Sequence, residues 1–337
     1  MHKRTSIVLL SNILGNIMEW YDFALYGSLA SVIAQLFFPS ENSLSSLVLT
    51  FGVFASGFLM RPLGGIIFGH IGDRYGRKKA LLLSVLLMTI PTVLFGLTPS
   101  YAAWGVFASI SLTFLRLAQG VAVGGEFTGT MSYLVEMAPQ NKRGFVGSFA
   151  LVGVLGGILL GSGTVAFISH YTTREEFYTW GWRVVYLFGG ILGYCIWLMR
   201  QKLSESSIYE LCRKTDKIVS TPFEECILHY KMPILKGFGI TFLNSFAFYI
   251  IMVYTTTYFH QILKMSLAQS AFINFYLVGL TMILVPVTGA LSDHLGRKTV
   301  LGLSAFSFLC FGIGLPKSLI GAFPGAHPHS PTATAGW

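Results

Sequence analysis

Charged side chains are scarce in this chain. Asp, Glu, Lys and Arg make up 11% of its 337 residues, while 53% are apolar; a soluble domain is roughly a quarter charged. Such a chain cannot cover itself with a hydrated surface, which excludes a water-soluble globule and leaves lipid as the solvent. Cysteine is sparse too. Cys195 and Cys310 fall in apolar stretches, Cys212 and Cys226 in a polar one, and no C-x-x-C pair exists. That removes both a zinc module and a disulfide framework. No G-x-x-x-x-G-K-[ST] run occurs, so nucleotide-driven chemistry has no support. His327 and His329 offer only two metal ligands in a proline-rich stretch, which is a poor site. Neither a metal, a cofactor nor an enzymatic reaction is expected.

Long apolar runs are what the chain has. Nine of them lie at about 7–37, 46–69, 80–98, 102–135, 144–169, 181–199, 234–259, 268–291 and 299–315. Lipid supplies no hydrogen bonds, so a spanning segment is a helix or a strand of a closed barrel. Continuous runs lack the alternation of barrel strands, and the reading is therefore all-α. The N-terminus carries Lys3 and Arg4 before an apolar stretch, as a secretory signal would, but no small-residue cleavage site follows. It reads as a retained first span.

The net charge of +9 has a topological explanation rather than nucleic acid as a partner. With the N-terminus in the cytoplasm, seventeen Lys and Arg fall in inside segments, seven of them between Arg200 and Lys236. Only Arg174, Arg183 and Lys264 fall outside. This is the positive-inside asymmetry.

Two loops repeat each other. The first runs Gly69, Asp73, Arg74, Gly76, Arg77, Lys78; the second runs Gly289, Asp293, Gly296, Arg297, Lys298. Both fit G-x-x-x-D-x-x-G-R-K between two spans on the cytoplasmic side. Glycine there permits a tight turn or close helix approach. The Asp can pair with an Arg or accept from a helix N-terminus. Such a cluster can lock one conformation and release in another.

The doubled motif resembles the loop signature of the major facilitator superfamily. Gly15-Asn16 with Glu19-Trp20-Tyr21-Asp22, Arg61-Pro62, Arg116 with Gln119-Gly120, and Gly124-Gly125-Glu126 further resemble its metabolite:proton symporter branch. Glu136, Arg143 and Trp182-Arg183 fit as well. That branch includes carriers of proline and betaine, α-ketoglutarate, citrate and shikimate. The resemblance implies a multi-pass inner-membrane carrier that couples proton entry to a small organic acid or zwitterion, with lipid, proton and metabolite as its partners. Its fold implies a six-helix first half at 1–200, a cytoplasmic linker at 201–233, helices 7–9 at 234–315 and a non-helical tail at 316–337. Full members have twelve helices. By the offset between the two motifs a complete chain needs about 420 residues, so helices 10–12 are expected to be missing. The alternative expectation is accordingly a truncated fragment that does not transport alone.

Charges inside the bilayer mark the candidate site, because each costs about 2.5–3.5 kcal/mol at a helix centre unless paired or hydrated. They are Glu19, Asp22, Arg61, Arg116 and Glu126. Glu19 and Asp22 stand three apart and can share a helix face. Two carboxylates so close oppose full ionisation of the pair, which suits a proton carrier; a structural tie to an Arg of a neighbouring helix is the other reading. Arg116 and Gln119 share a face, in a run that resembles a family motif associated with proton coupling. A guanidinium there could grip a substrate carboxylate or make a buried packing pair. The stripe Gly153, Gly157, Gly161 reads as close helix packing. Asn244, Tyr249 and Tyr254 are polar groups of the seventh span, suited to bridging helices.

Overall fold

The computed structural model of the chain describes residues 2–216, 221–250, 254–255, 258–259 and 263–322. Among them the structure is helical with no strand. Contacts divide the chain into two compact units. One is Met1–Lys231 with Met282–Ala290; the other is Met232–Thr281 with Leu291–Trp337.

The first unit holds α1 (His2–Ser28), α2 (Ala30–Phe37), α3 (Ser43–Leu59), α4 (Arg61–Tyr75), α5 (Arg77–Leu97), the short α6 (Tyr101–Trp104), α7 (Val106–Met137) and α8 (Arg143–Tyr171). After them come α9 (Arg174–Glu176), a π-helical turn at Phe177–Gly181, α10 (Trp182–Gln201), α11 (Ser207–Lys214) and α12 (Pro222–His229). Local chemistry marks several starts. Asn42 Oδ1 accepts from the Leu44 amide at 2.9 Å to open α3. Thr173 and Glu176 form a reciprocal capping box at α9. Ser206 caps α11. The stretch expected as a plain linker thus carries two helices and belongs to the first unit.

The second unit holds α13 (Lys231–Tyr249), most of α14 (Leu267–Leu295) and α15 (Arg297–Ala322). The seventh expected span lies partly outside the described residues, as do His327 and His329. The last helix differs from expectation: it runs to Ala322, seven residues into the stretch read as non-helical. One proline, Pro316, removes a single backbone donor, and Leu-Ile-Gly-Ala continues the helix beyond Lys317 and Ser318.

Six segments among the described residues are long and apolar enough to cross a bilayer: Ser43–Tyr75, Arg77–Leu97, Val106–Met137, Gln140–Tyr171, Arg174–Gln201 and Phe272–Leu295. α1 falls short because Asn12, Asn16, Glu19 and Asp22 interrupt it, yet all four are buried. The polarity of the first unit is inverted relative to a soluble fold. Leu59 is 79% exposed and Phe107 74%, whereas Asp22, Arg116, Glu126 and Arg200 are at most 2% exposed. A cluster of rings fills one part of the interior, with Phe95 stacked on Tyr186 at 4.3 Å and Phe37 edge-on to Trp182 at 5.6 Å.

α1 and α8 approach closely enough that only glycine fits between them. A Cβ on Gly153 would lie 2.6 Å from the Ile13 carbonyl oxygen, one on Gly157 2.5 Å from that of Ile17, and one on Gly161 2.7 Å from the Ala24 Cβ. The stripe is a packing ridge, and it holds α1 at the depth where its polar residues meet α5, α7 and α10. Gly157→Leu should therefore destabilise the bundle by roughly 1–3 kcal/mol through overpacking. Gly163→Leu, on the same helix with open space around its Cα, should not. Thermal unfolding of the detergent-purified chain followed by tryptophan fluorescence compares them, and equal melting points would contradict the ridge.

Candidate transport site

Three polar networks occupy the first unit. The innermost joins α1, α5 and α7. Asp22 Oδ2 accepts from Arg116 Nη1 at 2.7 Å. Its Oδ1 accepts from Gln119 Nε2 at 2.8 Å and from Thr92 Oγ1 at 3.0 Å. Arg116 also donates to Gln119 Oε1 at 3.1 Å, and its guanidinium lies over Phe23, Tyr26 and Phe54 at 4.4–4.9 Å. Both carboxylate oxygens of Asp22 are thus supplied with donors, and the cation is flanked by aromatic faces.

A second network joins α5, α7 and α10. Arg200 grips Glu126 with both terminal nitrogens, one of them at 2.8 Å, and donates to the Leu81 carbonyl at 2.7 Å. Ser84 and Thr130 hydroxyls add donors to the same carboxylate. The pair presses on α1: a Cβ at Gly15 would collide with Arg200 Nη2 and the Glu126 carboxylate.

The third lies where α4 breaks into α5. Gly76 has φ 107° and ψ 146°, a backbone region effectively reserved for glycine. Asp73 pairs with Arg77 at 2.9 Å, and Arg77 with Glu136 at 3.1 Å. Ser206 Oγ donates to Glu136. The Glu205 carboxylate accepts from the Lys78 amide at 3.2 Å, neutralising the start of α5, and Tyr209 OH donates to the Arg74 carbonyl at 2.9 Å. The second copy of the motif reproduces the turn: Gly296 has φ 87° and ψ 145°, between Gly289 and Asp293 on the end of α14 and Arg297 at the start of α15. Gly69 has open space around it.

The chain matches a family described as sugar (and other) transporter over residues 8–221. The shikimate transporter of Escherichia coli (strain K12) is 38% identical over 318 residues, which cover 91% of this chain and 72% of that protein. The chain belongs to this transporter family of the major facilitator superfamily. The glycine betaine/proline/ectoine/pipecolic acid transporter OusA of Dickeya dadantii (strain 3937) is 35% identical over 307 residues, and this chain spans 61% of its length. The solved proton:xylose symporter XylE, bound to 6-bromo-6-deoxy-D-glucose, superposes with a TM-score of 0.77 over 88% of this chain and 71% of its own. At 17% identity that likeness shows the fold alone. A major facilitator superfamily chain is a multi-pass membrane transporter, not an enzyme.

For this transporter family member, the structure separates residues that spacing had grouped. Glu19 and Asp22 stand in different environments: Asp22 meets Arg116, whereas the charges acting on Glu19 are Arg61, Glu126 and Arg200. Arg116 and Gln119 come together as expected, but both turn into the unit's own helix interface around Asp22. Arg61 lies against Phe23 and Phe58 at 4.6 and 4.2 Å.

Sequence reasoning missed Arg200, Ser84, Thr92, Glu205, Ser206 and Tyr209. Arg200 carried a readable signal. The membrane charges summed to three acids and two bases, so one cation was owed, and Arg200 directly follows the apolar run of α10.

Removing Arg200 leaves Glu126 as an uncompensated buried charge. Arg200→Ala should cost roughly 3–5 kcal/mol of stability, while the double variant Glu126→Leu/Arg200→Leu should recover most of it. Thermal unfolding of the three proteins measures this, and an undiminished loss in the double variant would refute an isolated pair.

Proposed function

We propose that this chain serves a proton-coupled symporter of a small organic acid or zwitterion, seated in the inner membrane with its N-terminus in the cytoplasm. Its first half would comprise about 1–200, and 234–315 would belong to the second, the two rocking about a midplane site. Glu19, Asp22, Arg116, Gln119 and Glu126 are the proton and substrate pathway in this reading.

The observation that carries it is the Asp22–Arg116–Gln119 network, fully buried in a lipid-facing bundle. Buried ionisable groups in membrane helices mark ion and substrate paths. Relatives named for shikimate and for betaine and proline transport support a carboxylate-bearing cargo. The positive-inside bias supports the orientation. The Asp73–Arg77–Glu136 chain is the gating latch in this reading: it ties α4, α5 and α7 where α4 breaks into α5.

Two results test this. Vesicles containing the protein should take up at least one of proline, betaine, shikimate, citrate or α-ketoglutarate when an inward proton gradient is imposed, and an uncoupler should abolish it. Uptake indifferent to the uncoupler, or absent for all five, would sink the proposal. Asp73→Asn should insert normally yet lower the uptake rate on the order of tenfold or more, because one charge-assisted contact of about 1.5–3 kcal/mol disappears from one gating state. An unchanged rate would remove the latch from the mechanism.

A further inference from the structure

The two copies of the loop motif make the same turn, with Gly76 and Gly296 both at positive φ. Positions at which the copies differ are therefore not needed to make it. Over Asp73–Lys79 and Asp293–Thr299 they differ at three places. Where the second copy has His294, Leu295 and Thr299, the first has Arg74, Tyr75 and Lys79.

Those three residues of the first copy form one surface cluster. The Arg74 guanidinium lies 5.5 Å from the centre of the Tyr75 ring and the Lys79 ammonium 5.0 Å, so a single ring holds two cations. His70 meets the same ring at 6.4 Å. Tyr75 is 50% exposed, and Arg74 and Lys79 are exposed as well. The loop's other cations are engaged with the protein: Arg77 with Asp73 and Glu136, and Lys78 Nζ with the Gln201 carbonyl at 2.7 Å. None of the ion pairs among the described residues includes Lys79.

Beneath the cluster both helices turn apolar faces outward. Leu63, Ile67 and Arg74 recur on one exposed face of α4, and Lys79, Leu83 and Ile90 on one exposed face of α5. Both helices belong to segments long and apolar enough to cross a bilayer. The aliphatic residues thus stand in hydrocarbon and the cations at its border, where a tyrosine ring is also at home. A stripe for acyl chains below two cations on a shared ring matches a lipid whose headgroup carries net negative charge. The guanidinium offers phosphate a fork of donors and the ammonium a point charge. The ring orders both before the lipid arrives, which lowers the cost of binding.

We propose that Arg74, Tyr75 and Lys79 form a binding site for an anionic phospholipid, the two cations holding its phosphate and the faces of α4 and α5 its chains. The site lies apart from the buried networks, and it depends neither on the cargo nor on proton coupling.

Native mass spectrometry of the detergent-purified full chain, titrated with phosphatidylglycerol, counts the bound lipid. Arg74→Gln and Lys79→Gln should each weaken binding about fivefold, the contribution of one surface cation to anionic lipid. Arg74→His/Tyr75→Leu/Lys79→Thr should remove the site. That triple variant carries residues the same turn already accommodates in the second copy; its melting temperature in detergent checks that it folds, and the single variants carry the test if it does not. Lys142→Gln, which removes an exposed cation from another loop, should leave binding unchanged. Phosphatidylcholine with the same chains should bind at least about tenfold more weakly. Undiminished binding in the variants, equal affinity for phosphatidylcholine, or an equal loss in Lys142→Gln would each overturn the proposal. So would displacement of the lipid by free glycerol phosphate at matching concentration, which would assign the cluster to a soluble phosphate instead.

Discussion

Lipid solvates no charge, and the first unit is organised around that constraint. Two of its buried carboxylates are paired across helix interfaces rather than along single helices: Asp22 of α1 with Arg116 of α7, Glu126 of α7 with Arg200 of α10. A pair within one helix could form before the bundle does. A pair between helices forms only when three or four helices already stand at the right depth and rotation. The ion pairs thereby act as a registry device, which is the best-attested use of buried charge. The glycines follow from the same demand. α8 presents Gly153, Gly157 and Gly161 along its contact with α1, and α1 presents Gly15 to the Arg200–Glu126 pair, because the helices must close in until polar groups reach each other.

Much of this was legible in the sequence, for identifiable reasons. Apolar run length gives helices in lipid without any knowledge of packing, and the doubled glycine–aspartate–arginine loop gave the turn that Gly76 and Gly296 both adopt. The Gly153–Gly157–Gly161 stripe gave a helix contact because small residues have few other uses in a membrane helix. What the sequence could not tell was partnership. Glu19 and Asp22 are three residues apart and look like one site. Side chains diverge by some 60° over three residues of a helix, and they point to different neighbours. Arg200 looked like the first residue of a polar loop and is instead the counter-ion of Glu126. Glu205, Ser206 and Tyr209 belong to the same class, since nothing local announces that a residue beyond a span returns to cap the helix at Lys78.

The two copies of the loop motif show how far a repeat carries information. Backbone conformation is a property of the local sequence, and it repeats. The surroundings do not. At Gly76 an added Cβ would strike the Glu205 carboxylate, whereas the nearest atom to one at Gly296, among the described residues, is Thr299 Oγ1 at 4.0 Å. The first copy is held by Glu136 of α7 and by Glu205, Ser206 and Tyr209 after α10.

The two buried ion-pair networks tie α1, α5, α7 and α10 to one another, with Arg116 Nε and Nη2 and Arg200 Nε left without hydrogen-bond partners among the described residues. Asp22 takes three donors and Glu126 both terminal nitrogens of its arginine, so a new partner at either has to displace an existing one. Any exchange of proton or ligand that alters these pairs has to break bonds worth about 1.5–3 kcal/mol each before it gains anything. Groups with unfilled capacity face no such barrier. On α1 two buried acceptors, Glu19 Oε2 and Asn16 Oδ1, meet no donor among the described residues; Asn16 is turned to Ala150 of α8, while the charges acting on Glu19 come from α4, α7 and α10. One helix thus carries both kinds of buried carboxylate: Asp22 is bound on both oxygens, and one turn away Glu19 Oε2 meets no donor.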